Sequence, residues 1–222
     1  MKKIIAIILC ALMALPLMAC GGHEEPAEPT PGPTMQPTET QKPDEVPTGD
    51  PLCYDFNKDT LEYSDEYVNF TLPEGFSVLK DTTSEYDGAY KRFMNFTNPD
   101  PAFQSNSVNY NAAAASSESE NVHLSSFTQE DLEKLFKEQF EKAFQSEVEI
   151  KTVSFRFDTA GDCPAIIYEY TVSISGTELN QIVVMMEEGN MSLSVAYTFT
   201  EDDWEIYRAS AETVMPAASE EK

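Results

Sequence analysis

The chain has 222 residues, with 39 Asp or Glu against 14 Lys or Arg and a formal net charge of −25 at pH 7. A field of that sign disfavours nucleic acid and anionic lipid headgroups as partners, and it serves solubility before it serves any particular ligand. Four cysteines and two histidines in the whole chain are too few for a closed zinc site once the folded part is counted alone, and no Cys-x-x-Cys pair is present. No metal and no cofactor is expected.

Lys2 and Lys3 precede an uncharged apolar run from Ile4 to Ala19. A membrane-spanning helix needs about 20 apolar residues, and this run ends sooner, at Gly21-Gly22 and charged residues, so residues 1–19 read as an export signal peptide. Its end, Leu17-Met18-Ala19-Cys20, resembles the lipobox of bacterial lipoproteins. Leu17, Ala19 and Cys20 match that pattern, and Met18 is larger than the usual residue. The resemblance implies cleavage before Cys20 and acylation of its thiol with palmitate-type chains. Each buried methylene contributes about 0.8 kcal/mol, so two chains anchor stably where one does not. The expected partner is therefore the bacterial cell membrane, reached through lipidated Cys20, with the rest of the chain extracytoplasmic. Gly21 follows the cysteine where an aspartate would favour inner-membrane retention, and this leaves one-membrane and two-membrane hosts both open. An ordinary signal peptide cut near Ala19 is the alternative.

Residues 20–51 are rich in Pro, Thr and Glu, as in Glu25-Pro26-Ala27-Glu28-Pro29-Thr30-Pro31. Such a stretch cannot bury enough apolar surface to offset its ordering entropy. It reads as a tether, up to roughly 90 Å long at about 3.1 Å per residue in polyproline geometry. Of the cysteines, Cys10 leaves with the signal and Cys20 is modified. Cys53 and Cys163 remain, an exported pair that forms a disulfide or stays as two thiols according to its redox surroundings.

Residues 52–217, about 165 in number, suffice for one domain with its own core. Strands are expected at Leu52–Phe56, Tyr67–Leu72, Phe76–Leu79, Tyr90–Phe96 and Ser107–Ala112, with Pro73-Glu74-Gly75 a turn and Asn98-Pro99-Asp100-Pro101 a breaker. Asp81–Gly88 and Ala112–Glu120 read as loops. A helix follows Thr128, whose side chain and Asp131 form a variant capping box. Leu132, Leu135, Phe136, Phe140, Ala143 and Phe144 share one face of it. Strands at Val148–Phe157, Ala165–Ile174, Leu179–Met186 and Met191–Phe199 alternate with Asp158–Asp162, Ser175–Thr177 and Glu188–Asn190, the pattern of an antiparallel meander. Thr200, with Asp203, is expected to cap a last helix that buries Trp204, Tyr207, Ala211 and Val214 and ends at Pro216. Residues 218–222 form a loose tail.

A strand ending in Phe70-Thr71-Leu72-Pro73-Glu74-Gly75-Phe76, a middle helix, a meander and a closing helix together resemble the PsbP-like fold, which also includes Mog-type Ran-binding proteins and many bacterial lipoproteins. The resemblance implies an α+β domain, an antiparallel sheet with the middle and C-terminal helices packed on it. It further implies an accessory or binding module beside a membrane assembly, whose partner is an envelope protein or a small ligand. No catalytic motif comes with it.

Enzyme readings find little purchase in the residues themselves. The folded part has a single histidine, His123, and there is no Gly-x-Ser-x-Gly elbow, Ser-x-x-Lys pair, phosphate-binding glycine loop or His-Glu-x-x-His helix. The acidic pairs Asp202-Asp203 and Glu187-Glu188 are explained first as helix cap and hairpin end. A non-catalytic module is expected. The alternative, an envelope hydrolase acting on cell-wall material, would need His123 in a deep cleft beside a carboxylate and a nucleophile.

Overall fold

Alternation of apolar and polar residues, broken by two-residue turns, lays most of the chain into antiparallel ladders. The computed structural model describes residues 54–83, 90–114, 123–174, 176–200 and 202–217, and of Val78 and Leu79 the backbone alone. In order these are β1 (Tyr54–Asn57), β2 (Glu62–Asp65), β3 (Val68–Thr71), β4 (Ser77–Asp81), β5 (Arg92–Thr97), β6 (Ser107–Ala114), α1 (Gln129–Phe144), β7 (Val148–Ala160), β8 (Cys163–Ile174), β9 (Thr177–Glu188), β10 (Met191–Phe199), α2 (Trp204–Ala211) and β11 (Met215–Pro216). Short 3-10 turns occupy Pro101–Phe103 and Leu124–Ser126. The expected α+β class is what forms. A seven-stranded sheet has the order β4-β5-β6-β10-β9-β8-β7, and a four-stranded sheet has the order β1-β2-β3-β11.

The ladder registers assign each side chain of the large sheet to one of two faces, because directly paired residues point the same way. One face carries the row Phe96, Val108, Tyr197, Ile182, Glu169 and its neighbours. It shares a core with Tyr63, Val68 and Phe70 of the small sheet and with Tyr207 and Ala211 of α2. Tyr207 stacks on Phe199 at 4.0 Å between ring centroids, and Phe76 meets Tyr207 edge-on at 6.4 Å. The opposite face carries α1. There Leu132, Leu135, Phe136 and Phe140 bury against Val148, Ile150, Tyr168, Tyr170 and Val172, with Phe136 stacked on both tyrosines.

The Phe70–Phe76 stretch shows why its residues go together. Phe70, Leu72 and Phe76 are core. The Phe76 amide donates to the Pro73 carbonyl at 3.3 Å, closing a turn in which Gly75 takes φ +84°. A side chain there would be strained, and its Cβ would come within 2.8 Å of Asn98 Nδ2.

Several expectations need correction. Ala143 and Phe144 are exposed, so the apolar face of α1 ends at Phe140, and Gln139 is buried in their place. Asp203 rather than Thr200 sits at the N-cap of α2 and makes no side-chain cap bond, and the backbone N–H of Thr200 donates to Asn106 Oδ1 at 3.2 Å. Pro216 does not end that helix. α2 stops at Ala211, and Pro216 pairs with Val68 in the small sheet. β7 runs on to Ala160, so the turn into β8 is only Gly161-Asp162. β6 extends to Ala114, inside the expected loop. β2, unforeseen in the sequence, buries one apolar side chain, Tyr63, which leaves no apolar alternation to read. Residues 1–53, 84–89, 115–122 and 218–222 lie outside the described residues, and with them the signal, the tether, Cys20, Cys53 and the tail.

Candidate functional site

On the α1 face, the half of the large sheet beyond β9 changes character. The row Phe93, Asn111, Ser194, Met185, Ile166, Phe157 and the row Asn95, Asn109, Ala196, Val183, Tyr168, Phe155 cross six strands. A third runs Thr97, Ser107, Thr198, Gln181, Tyr170, Thr152. Toward β7 and β8 these rows are aromatic and branched. Across β6 and β10 they are small and polar. Ser107, Asn109, Asn111, Ser194, Thr198 and Gln181 are nevertheless all buried.

Buried amides and hydroxyls must find partners, and most of these do so across the strands. Asn111 Nδ2 donates to Ser194 Oγ at 2.7 Å, Gln181 Nε2 to Thr198 Oγ1 at 2.8 Å, and the Tyr170 hydroxyl to Gln181 Oε1. Burial pushes the Tyr170 phenol well above its ordinary pKa, so it remains a donor. Asn109 Nδ2 reaches Ser107 Oγ at 3.3 Å, but Asn109 Oδ1 has no partner although the residue is 1% exposed. Gln139 on α1, 7% exposed, has both amide atoms unpartnered. At roughly 100° per residue Gln139 falls between Leu132 and Leu135 in the buried stripe of α1. The sheet thus carries a strip of uncharged polar side chains with one orphaned acceptor along it, Asn109 Oδ1, and the helix packed on the same face carries a second orphaned group, Gln139. Along β5, β6 and β10 this face carries no ionisable group, so the strip offers no general acid, base or nucleophile of its own beyond hydroxyls.

Two ion clusters, each centred on a buried carboxylate, lie on the other face. Glu169 of β8 accepts from Arg156 Nη1 of β7 at 3.1 Å and from Arg208 Nε and Nη2 of α2 at 3.0 and 2.7 Å, and Arg208 lies over the Trp204 ring. This fixes α2 to the sheet. Asp65 and Arg92 tie the two sheets together in the same manner.

Among the residues singled out in the sequence, His123 stands 71% exposed, with Nδ1 3.6 Å from Glu187 Oε2. Glu187 Oε1 also accepts from the Leu124 amide at 2.9 Å, fixing the turn that follows. The pair therefore sits on an open surface, where the hydrolase reading required a cleft. Glu188 closes the β9–β10 hairpin opposite Met191, and Asp202 is exposed. Cys163 opens β8 half-buried with a free thiol, which burial, then Glu188 and Asp162, push up in pKa. Its proposed partner Cys53 lies outside the described residues. No group of three or more potential metal ligands occurs among the described residues, and no helix among them is long and apolar enough to cross a membrane.

No protein-family model matches the chain, and no curated protein matches it. Solved structures do. The PsbP protein of the cyanobacterium Synechocystis sp. PCC 6803, CyanoP, aligns over 79% of this chain and 100% of its own with a TM-score of 0.52 at 11% identity. LpqN of Mycobacterium tuberculosis, described as involved in cell envelope biogenesis, aligns over 68% of this chain and 83% of its own with a TM-score of 0.43 at 9% identity. The likeness to CyanoP bears out the PsbP-like fold expected from Phe70–Phe76 and the order of elements.

Proposed function

We propose that the protein is a lipid-anchored, non-catalytic binding or accessory module of the bacterial cell envelope. The observation that carries the binding role is the buried, uncharged polar strip across β6 and β10 with the unpartnered atoms of Asn109 and Gln139. Side chains of this kind weaken a core, and they repay that cost when a ligand completes their hydrogen bonds. The address rests on Lys2-Lys3, the apolar run and Leu17-Met18-Ala19-Cys20. The division is a signal over 1–19, a tether over 20–51, one domain over 52–217 and a tail over 218–222. A PsbP-like fold suits this role, since such domains work beside larger assemblies without chemistry of their own. An envelope hydrolase has only His123 in its favour, and an exposed imidazole paired with one carboxylate lacks the water exclusion that acid–base work benefits from.

The test is Cys20→Ala in the native host, read by metabolic labelling with a fatty acid and by membrane fractionation. The variant should fold, remain unlabelled and leave the membrane fraction. Retention without label would overturn the lipid anchor in favour of an uncleaved signal or a protein partner.

A further inference from the structure

β7 ends the seven-stranded sheet, and among the described residues its ladder runs to β8 alone. Such an edge presents a row of backbone donors and acceptors to any strand that matches it. Apolar side chains stand along it in water: Val153 is 47% exposed and Phe157 53%.

The edge has a shape that few strands fit. Thr152 pairs with Tyr170 and Ser154 with Glu169, so Val153 is an extra residue, a bulge. The bulge changes which residues share a face. Val148, Ile150, Phe155 and Phe157 lie on the α1 face, while Glu149, Lys151, Ser154, Arg156 and Asp158 lie on the other. A regular strand laid along this edge would fall out of step at Val153. A second β7, run antiparallel across a two-fold axis, carries the same extra residue at the matching place.

We propose that the β7 edge is a self-association surface, joining a second copy of this chain through an antiparallel β7–β7 ladder whose axis passes between Thr152 and Val153. In that register Glu149 faces the second copy's Arg156 and Lys151 faces its Ser154 on one side of the joined sheet. On the α1 side Val148 faces the second copy's Phe157, and Ile150 faces its Phe155. Symmetry forms every pair twice, and both the opposite charges and the aromatic against branched aliphatic pairs are favourable across strands. Arg156 is 37% exposed and gives Nη1 to Glu169, which leaves Nη2 for the second copy's Glu149. Charge also selects the register. A slip that keeps the faces but moves the axis one residue onward, to between Val153 and Ser154, sets Lys151 against Arg156 and Glu149 against Asp158, like charges in both cases. Self-association of this kind neither uses the polar strip on β6 and β10 nor depends on a lipid at Cys20.

The experiment is light scattering on the full-length protein, in excess detergent and over a wide concentration range, together with oxidative crosslinking of mixed cysteine variants. The unaltered protein should pass from monomer to dimer as concentration rises. Glu149→Lys sets like charges against each other twice, and Phe157→Asp sets a charge against Val148. Each should raise the dimer dissociation constant about tenfold or more while leaving the circular dichroism of the monomer unchanged. A mixture of Lys151→Cys and Ser154→Cys chains should yield a pair crosslinked at those two positions, identified by peptide mass. A mixture of Glu149→Cys and Asp158→Cys chains, which reports the slipped register, should not. A dimer indifferent to both substitutions, or one crosslinked in the slipped register, would overturn the proposal. A chain that stays monomeric throughout would overturn it too. Fast hydrogen exchange along β7 would then leave the edge to an extended segment of another protein, and slow exchange would give it to a segment of this chain outside the described residues.

Discussion

Arg92 Nε on β5 meets Asp65 Oδ2 on β2 at 3.1 Å, with the two side chains 1% and 0% exposed. This ion pair joins the seven-stranded sheet to the four-stranded one inside their shared core. Asp65 is fully engaged. Its Oδ1 accepts from the amides of Tyr67 and Val68 at 2.9 and 3.0 Å and from the Tyr110 hydroxyl at 3.2 Å, and its Oδ2 accepts from the Tyr63 hydroxyl at 3.0 Å. Burial, then the Asp65 charge, push both phenols far above their ordinary pKa and keep them as donors. Arg92 has a second carboxylate in Asp81 at 3.4 Å and lies against the Tyr54 ring.

Removing one partner of such a pair strands the other charge. Asp65→Ala should cost about 3–5 kcal/mol in denaturant unfolding, and Asp81→Ala, at a more exposed and longer contact, less than half of that. Equal losses would show that Asp81 carries the guanidinium.

The boundary of the α1 core is open to a paired test. Phe140 is 1% exposed and packs edge-on to Tyr170, whereas Phe144 is 37% exposed. Phe140→Ala should cost about 3–5 kcal/mol and Phe144→Ala less than about 1 kcal/mol. A large loss at Phe144 would place it under a surface that it does not touch among the described residues.

Helical periodicity alone places Ala143 and Phe144 on the buried stripe, because a repeat cannot register where the sheet beneath it stops. The elements with strong patterns were legible: β10 matches its expected bounds, and α1 has the capping box read from Thr128 and Asp131. What composition hides is context. In Ser107-Val108-Asn109-Tyr110-Asn111-Ala112 the alternation is plain, and it would ordinarily turn the asparagines to water. Only the stacking of β6 between β5 and β10, with a buried face on either side, makes Asn109 and Asn111 interior residues. The same applies to Glu169 and Arg92, which read as surface charges until α2 and β2 supply their counter-ions.

The α1 cap gives a pH signature. Asp131 accepts from the Thr128 hydroxyl at 2.6 Å and from its amide at 2.9 Å, and these bonds hold its carboxyl below the ordinary value. A depressed folded pKa means that the contribution is fully present above the unfolded value, about 4, and is lost as pH falls through the lower folded value. Asp131→Asn should therefore lose less stability than the unaltered protein when unfolding is compared at about pH 5 and about pH 3. Parallel losses in the two proteins would detach the cap from acid sensitivity.

The cysteine pair can be approached from the ladders. Arg92, Ala112, Leu193, Met186 and Ala165 form one row from β5 to β8, so Arg92 and Ala165 stand four strand spacings apart, about 19 Å. Tyr54, the residue after Cys53, has its ring 5.8 Å from the Arg92 guanidinium carbon, and Cys163 lies two residues before Ala165 on β8. The Cys163 thiol is free at the start of β8. We expect two free thiols, detected as two alkylation events on the unfolded, non-reduced exported protein by intact mass. A single species lighter by two hydrogens and closed to alkylation would establish the bridge.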